Sequence, residues 1–186
     1  MKGKFIVIVG PSASGKTELV SVLVKKVPGS ARLITMTTRP RRPNETHEKD
    51  YFFITKAEFE KRIEGGDFFE YAEVYGNLYG SSKKILDSFL QKFKYVFAII
   101  DVQGAQTLKS KIKDAHTIFI RPGSIDDIRT RLIKVRKGID EDELKKRIET
   151  AEHELSLAST FDAVVDNKEG RFDDAVESVM KIISSL

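Results

Sequence analysis

The stretch Gly10-Pro11-Ser12-Ala13-Ser14-Gly15-Lys16-Thr17 has the plainest chemical capacity in the chain. A glycine, four residues, then Gly-Lys-Thr is the spacing of a phosphate-binding loop. Such a loop aims main-chain N–H groups and the positive end of a helix at one anion. Lys16 would reach the β- and γ-phosphates and the Thr17 hydroxyl would ligate Mg²⁺, so the loop implies a nucleoside triphosphate. Asp101 ends the apolar run Tyr95-Val96-Phe97-Ala98-Ile99-Ile100. A carboxylate at that strand end lies where open α/β sheets bind ligands and suits the metal side of the site; its plain alternative is a helix cap. Arg39 and Arg42 stand three apart in Thr37-Thr38-Arg39-Pro40-Arg41-Arg42-Pro43. Two prolines favour an extended loop, so both guanidinium forks can converge on one phosphate. Tyr51 and Tyr79 can add phenolic donors. A solvated basic loop or a nucleic-acid patch is the alternative, but interleaved tyrosines, glycines and a nearby carboxylate fit a small anionic ligand better. His47, His116 and His153 are scattered singly, without metal spacing, and read as structural or surface residues.

The elements that must position these groups follow from periodicity. Lys4-Phe5-Ile6-Val7-Ile8-Val9 reads as a buried parallel strand, and Val20, Leu23, Val24 and Val27 recur at helical spacing until Pro28-Gly29. Ala31 to Thr35 and Tyr51 to Ile54 are strand candidates. Thr55 with Glu58 makes a capping box for a short helix carrying Phe59 and Ile63, stopped by Gly65-Gly66. Phe68 to Tyr79 suggests short strands with a turn near Gly76-Asn77. Ser82 to Phe93 reads as a helix with Ile85, Leu86, Phe89 and Leu90 on one face, and Val102-Gln103-Gly104 as a tight turn. Thr117 to Ile120 is a strand, and Ser124 and Asp140 (with Glu143) cap two further helices. Ala163-Val164-Val165 is the last strand, and Phe172, Val176, Val179, Ile183 and Leu186 mark the closing helix. This rhythm predicts an α/β fold: a three-layer α/β/α core of the phosphate-loop NTPase type, with its parallel sheet covered on both faces. The aromatic, arginine-rich stretch from Thr35 to Ser81 breaks the rhythm and reads as an inserted lobe; the basic helical pair around Arg129 to Arg147 reads as a smaller one.

Length and composition set bounds. A chain of 186 residues accommodates one α/β domain with insertions. There is no cysteine, which excludes disulfides and thiolate metal sites. No apolar run approaches the ~20 residues of a membrane span. Met1-Lys2-Gly3-Lys4-Phe5 runs straight into the first strand, so the expectation is no signal peptide, no membrane and a cytoplasmic location. The net charge of +4 reads as cleft arginines and solvated lysines rather than a specific nucleic-acid surface.

Taken together, the loop Gly10-Pro11-Ser12, the stretch Thr37 to Pro43, Lys49-Asp50-Tyr51-Phe52-Phe53, Gly76-Asn77-Leu78-Tyr79-Gly80-Ser81 and Ile100-Asp101-Val102-Gln103-Gly104 resemble guanylate kinase across essentially the whole chain. The resemblance implies transfer of the γ-phosphoryl group of MgATP to GMP, and to dGMP, with Mg²⁺ as the metal, held by Thr17 and Asp101. It implies that Arg39, Arg42, Tyr51 and Tyr79 hold the GMP phosphate, while Thr35, Glu70, Ser81 and Asp101 surround the guanine. The triphosphate would lie on Gly10, Pro11, Ser12, Ala13, Ser14, Gly15, Lys16 and Thr17, with Asn167 near the adenine. Lys16, Arg39, Arg131, Arg136 and Arg147 would be the catalytic cations, the last three swinging in on a lid. The implied division is a core of 1–34, 84–123 and 156–186, a mixed α+β GMP-binding lobe of 35–83 and a helical lid of 124–155. Read without the resemblance, Glu70 is a surface glutamate between Phe69 and Tyr71. Departures from the family pattern are Ala13 where glycine is usual, Ile99 where an acid is common, Glu18, Thr35 for serine, and a lid one residue longer. The alternative is a non-catalytic guanylate-kinase-like interaction module, which typically has a degraded loop. Oligomeric state is left open.

Overall fold

Five consecutive residues of β1 (Lys4–Val9) are buried, because the strand lies at the centre of a parallel sheet covered on both faces. The computed structural model describes residues 2–135 and 138–186. Strand order is β2 (Ser30–Arg32), β7 (Tyr95–Ile99), β1, β8 (Ala115–Pro122), β9 (Ala163–Asn167), and every pairing is parallel. Alternation along β1 divides the core. Ile6 and Ile8 pack beneath α1 (Lys16–Lys26) and α7 (Phe172–Ser184), with Leu19, Leu23, Val176 and Val179. Phe5, Val7 and Val9 face α3 (Lys83–Lys92) and α4 (Val102–Lys111), with Leu86, Leu90, Ala105 and Leu108. Each such side chain contributes about 1.5–3 kcal/mol by leaving water.

Helix α4 replaces the tight turn expected at Val102-Gln103-Gly104. Val102, Ala105 and Leu108 recur on one face, and Asp101 caps the helix by accepting from the Gly104 N–H at 3.0 Å. Gly104 masks the pattern because helix interiors disfavour glycine. It is required here by space: a Cβ would stand 2.7 Å from the Glu70 carboxylate.

The strand expected over Ala31 to Thr35 divides between two sheets. Ser30–Arg32 joins the core, Leu33 donates to the Phe97 carbonyl at 2.7 Å, and β3 (Met36–Thr37) then enters a second sheet. That sheet runs β4 (Phe52–Phe53), β3, β6 (Asn77–Ser82), β5 (Phe68–Val74). The capping box expected at Thr55 and Glu58 starts α2 (Lys56–Glu64). Met36, Phe59 and Phe68 give this lobe its own small core. The β5–β6 turn uses Tyr75 and Gly76 at φ 49° and 73°, one residue earlier than expected, as a two-residue hairpin demands. Helices α5 (Ile125–Val135) and α6 (Glu141–Ser156) pack Ile128, Leu132, Leu144 and Ile148 into a third cluster. Ser124 and Asp140 accept from Asp127 and Glu143 N–H groups at 3.0 and 2.8 Å, as the caps predicted. Among the described residues no helix is long and apolar enough to cross a membrane.

Candidate nucleotide site

The loop between β1 and α1 is shaped by its small residues. Gly15 adopts φ 88°, and a side chain there would strike the Asn167 amide. Asn167, at the end of β9, donates to the Ser14 carbonyl at 2.8 Å, so its amide is committed to holding the loop. Ala13 sits at φ 62°, the left-handed conformation that normally calls for glycine. Lys16 folds over the loop: its ammonium donates to the Gly10 and Pro11 carbonyls at 2.7 and 2.6 Å. Burial holds Lys16 below the usual lysine range, while the charges of Glu154 and Asp101 oppose that fall. Burial conversely pushes the Glu154 carboxyl up, with Lys16 opposing and Asp101 adding to the rise. Glu154 lies on α6, far from the loop in sequence, and the sequence reading missed it; only an α6 register aimed at the loop would have marked it.

Facing the loop across the cleft is a cavity of about 220 Å³ whose lining includes Lys16, Thr35, Glu70, Tyr79, Asp101 and Glu154. Glu70 is 3% exposed. A register shift in the β5–β6 ladder between Phe68 and Glu70 lets Phe69 pack against Phe5 in the core while Glu70 stays inside the cleft, paired with Ser81. Burial raises the Glu70 carboxyl to about 7, with the Ser81 hydroxyl pulling the other way and Asp101 adding to the rise. The Ser81 Oγ is buried and forms no hydrogen bond of ordinary geometry among the described residues. An adjoining cavity of about 330 Å³, sharing Arg42, Tyr51 and Tyr79, is lined by Thr17, Arg32 and Arg39. Arg39 donates to the Tyr79 hydroxyl at 3.2 Å and to Glu45 at 2.6 Å, and its guanidinium lies 5.6 Å from the Tyr51 ring centre. One end of the cleft is thus a buried carboxylate beside a hydroxyl, and the other is cationic.

Comparison with known proteins identifies the family. A family model described as guanylate kinase matches residues 2–186. A guanylate kinase from Thermotoga maritima is 41% identical over 185 residues, covering 100% of this chain and 88% of that one. One from Bdellovibrio bacteriovorus is 37% identical, covering 100% of this chain and 99% of that one. The chain belongs to the guanylate kinase family. The crystal structure of guanylate kinase from Anaplasma phagocytophilum superposes with a TM-score of 0.78 at 25% identity, covering 99% of this chain and 86% of that one. A shikimate kinase from Bacteroides thetaiotaomicron, TM-score 0.52 at 14% identity, shares the fold alone. Membership makes the chain a nucleoside monophosphate kinase.

Within this guanylate-kinase fold Arg131 and Arg147 are engaged by protein groups, and Arg131 touches the loop itself through the Ala13 carbonyl at 3.5 Å. Arg131 donates to Glu169 at 2.8 Å and to the Asn167 carbonyl at 3.3 Å. Arg147, 6% exposed, pairs with Glu143 at 2.7 Å and stacks 3.9 Å from the Tyr75 ring centre, so it ties α6 to the β5–β6 turn. Arg136 lies outside the described residues. Ser12, Thr35, Arg42 and Asp101 line the cleft. Asp101 is a helix cap as well: one carboxylate oxygen is spent on Gly104 and the other remains for a ligand. No cluster of three or more carboxylates and histidines able to hold a metal occurs among the described residues. Thr17 and Asp101 offer oxygen donors of the kind a hard divalent cation takes, and one carried largely by phosphate and water oxygens needs only one or two of them.

Proposed function

We propose that the chain transfers the γ-phosphoryl group of ATP to GMP or dGMP, giving ADP and GDP or dGDP, with Mg²⁺ bound beside Thr17 and Asp101. One observation carries the acceptor's identity: the buried Glu70 carboxylate beside the buried Ser81 hydroxyl. Guanine presents adjacent N1–H and N2–H donors to a carboxylate and an O6 acceptor to a hydroxyl. Adenine would set a lone pair against Glu70 and leave buried polar groups unpaired, which discriminates strongly. The acceptor phosphate then lies toward Arg39, Arg42, Tyr51 and Tyr79, and the triphosphate lies on residues 10–17.

In this reading Lys16 exchanges its two loop carbonyls for phosphate oxygens and neutralises charge that builds during transfer. The metal, when bound, neutralises charge on the triphosphate. The acceptor is already anionic, so no general base is required. Positioning the two anions in line and excluding water are the remaining tasks, and lobe 35–83 with lid 124–155 would close over them. Arg147 must leave Tyr75 to reach a phosphate. A coupled assay with ATP, Mg²⁺ and each monophosphate tests the reading. Turnover of GMP and dGMP, with AMP, CMP and UMP inert, is expected; turnover of the others without GMP refutes it. An intact Lys16 and Thr17 give no support to a non-catalytic interaction module.

A further inference from the structure

Arg32 closes β2 at the edge of the core sheet, where its side chain enters the cavity of about 330 Å³ shared by Thr17, Arg39, Arg42, Tyr51 and Tyr79. It donates one bond, to the Asp50 carbonyl at 3.2 Å, and its guanidinium lies 5.8 Å from the Tyr51 ring centre. Its Nε is buried without a hydrogen-bond partner among the described residues. The carboxylates nearby are already engaged: Glu45 takes Arg39 and the Arg42 N–H, and Asp50 accepts the Thr46 N–H at 2.7 Å. Arg32 therefore has no ion-pair partner among the described residues, in a cavity that already holds two other guanidiniums. A buried, unmade guanidinium donor is unfavourable unless a ligand completes it, and an arginine fork matches phosphate oxygens.

We propose that Arg32 is a third guanidinium for the acceptor's phosphate, an inference that rests on reading this cavity as the acceptor site. Arg32 approaches from the core sheet, whereas Arg39 and Arg42 come from the lobe. A phosphate bound by all three ties the lobe to the core, so acceptor binding itself draws the two together. The Tyr51 ring lies near both cations, its centre 5.8 Å from the Arg32 guanidinium and 5.6 Å from that of Arg39.

The test is binding of GMP and of guanosine, which lacks the phosphate, to the full chain without ATP. Arg32→Gln keeps an amide donor for the Asp50 carbonyl and removes the charge. It should weaken GMP about tenfold and leave guanosine unchanged, while Arg32→Lys stays within about threefold of the wild type. In the wild type the Arg32 Nε–H resonance, assigned by its loss in Arg32→Lys, should shift and gain exchange protection with GMP and not with guanosine. This measurement stands even if Arg32→Gln does not fold. Equal weakening of GMP and guanosine would show a structural tie to Asp50 and overturn the proposal, as would unchanged GMP binding or an Nε–H indifferent to GMP. Wild-type protein that binds GMP no better than guanosine would overturn the acceptor site itself, and the role of Arg32 with it.

Discussion

Replacing Glu70 by glutamine separates what the cleft costs the empty protein from what it does for the ligand. The Glu70 carboxyl is pushed from an ordinary 4.5 to about 7, first by burial. At 1.36 kcal/mol per pH unit this is a penalty of about 3 kcal/mol on the folded state once the group is ionised. The sign follows from linkage. Between pH 4.5 and 7 the folded chain holds a proton that the unfolded chain has released, so stability falls as pH rises through that window. Below the window the carboxyl costs nothing, and above it the penalty is complete. Glutamine mimics the protonated acid at every pH. Urea unfolding of nucleotide-free protein should therefore find the two chains equally stable near pH 4, with Glu70→Gln ahead by about 3 kcal/mol at pH 8.5. Lys16 and Glu154 titrate in both chains and cancel in the difference. Guanine donors would take up the ionised carboxylate, so the same substitution should lower the GMP-over-AMP ratio of kcat/KM about 100-fold. Stability curves that run parallel from pH 4 to 9 would refute the buried-carboxylate account, and an unchanged nucleotide ratio would refute its base-reading role.

Gly104→Ala should lower the melting temperature, since crowding in a buried site outweighs alanine's preference for the helix, and raise KM for GMP at least tenfold. Its Cβ would stand 2.7 Å from the Glu70 carboxylate and 2.9 Å from Ile100, while KM for ATP should hold. Ala13→Gly removes the left-handed strain at φ 62°, about 1 kcal/mol, and forfeits a methyl that packs on the lid cluster. Thermal unfolding should show a net gain of about 0.5 kcal/mol, and a loss would mean the methyl contact outweighs the strain. Asp162 joins β8 to the chain entering β9: it accepts from the Thr117 N–H at 2.9 Å and hydroxyl at 2.6 Å, and pairs with Lys109 at 2.7 Å. Burial pushes its carboxyl up, but bonds from Lys109 and Thr117 prevail and hold it at about 2. Its contribution is therefore present above pH 3.8 and lost as pH falls through 2. Asp162→Asn should cost about 1 kcal/mol in urea at pH 7, because water screens the half-exposed carboxylate, with the gap closing at low pH.

Local pattern made much of this protein legible. A continuous β-branched run can only be buried on both faces, so Lys4–Val9 announced a parallel sheet, and the spacing of Gly10, Gly15, Lys16 and Thr17 announced an anion site at its edge. Caps at Thr55, Ser124 and Asp140 are settled within four residues of chain, and each formed. Other positions depend on partners that no local window contains. Residue order gives Glu70 a place between Phe69 and Tyr71, and nothing more. A shifted ladder, a glycine in α4 and a hydroxyl from β6 then bury it and lift its pKa. Helix α4 hid behind the glycine that makes room for that carboxylate. Arg32 looks like an ordinary strand residue until β2 is seen to end at a cavity shared with Arg39 and Arg42, and Glu154 like a solvated helix residue until α6 turns it toward Lys16. Periodicity and capping are short-range forces and can be read along the chain. Desolvation and charge–charge coupling depend on distance in space, so the cleft's electrostatics exist only once the chain has folded.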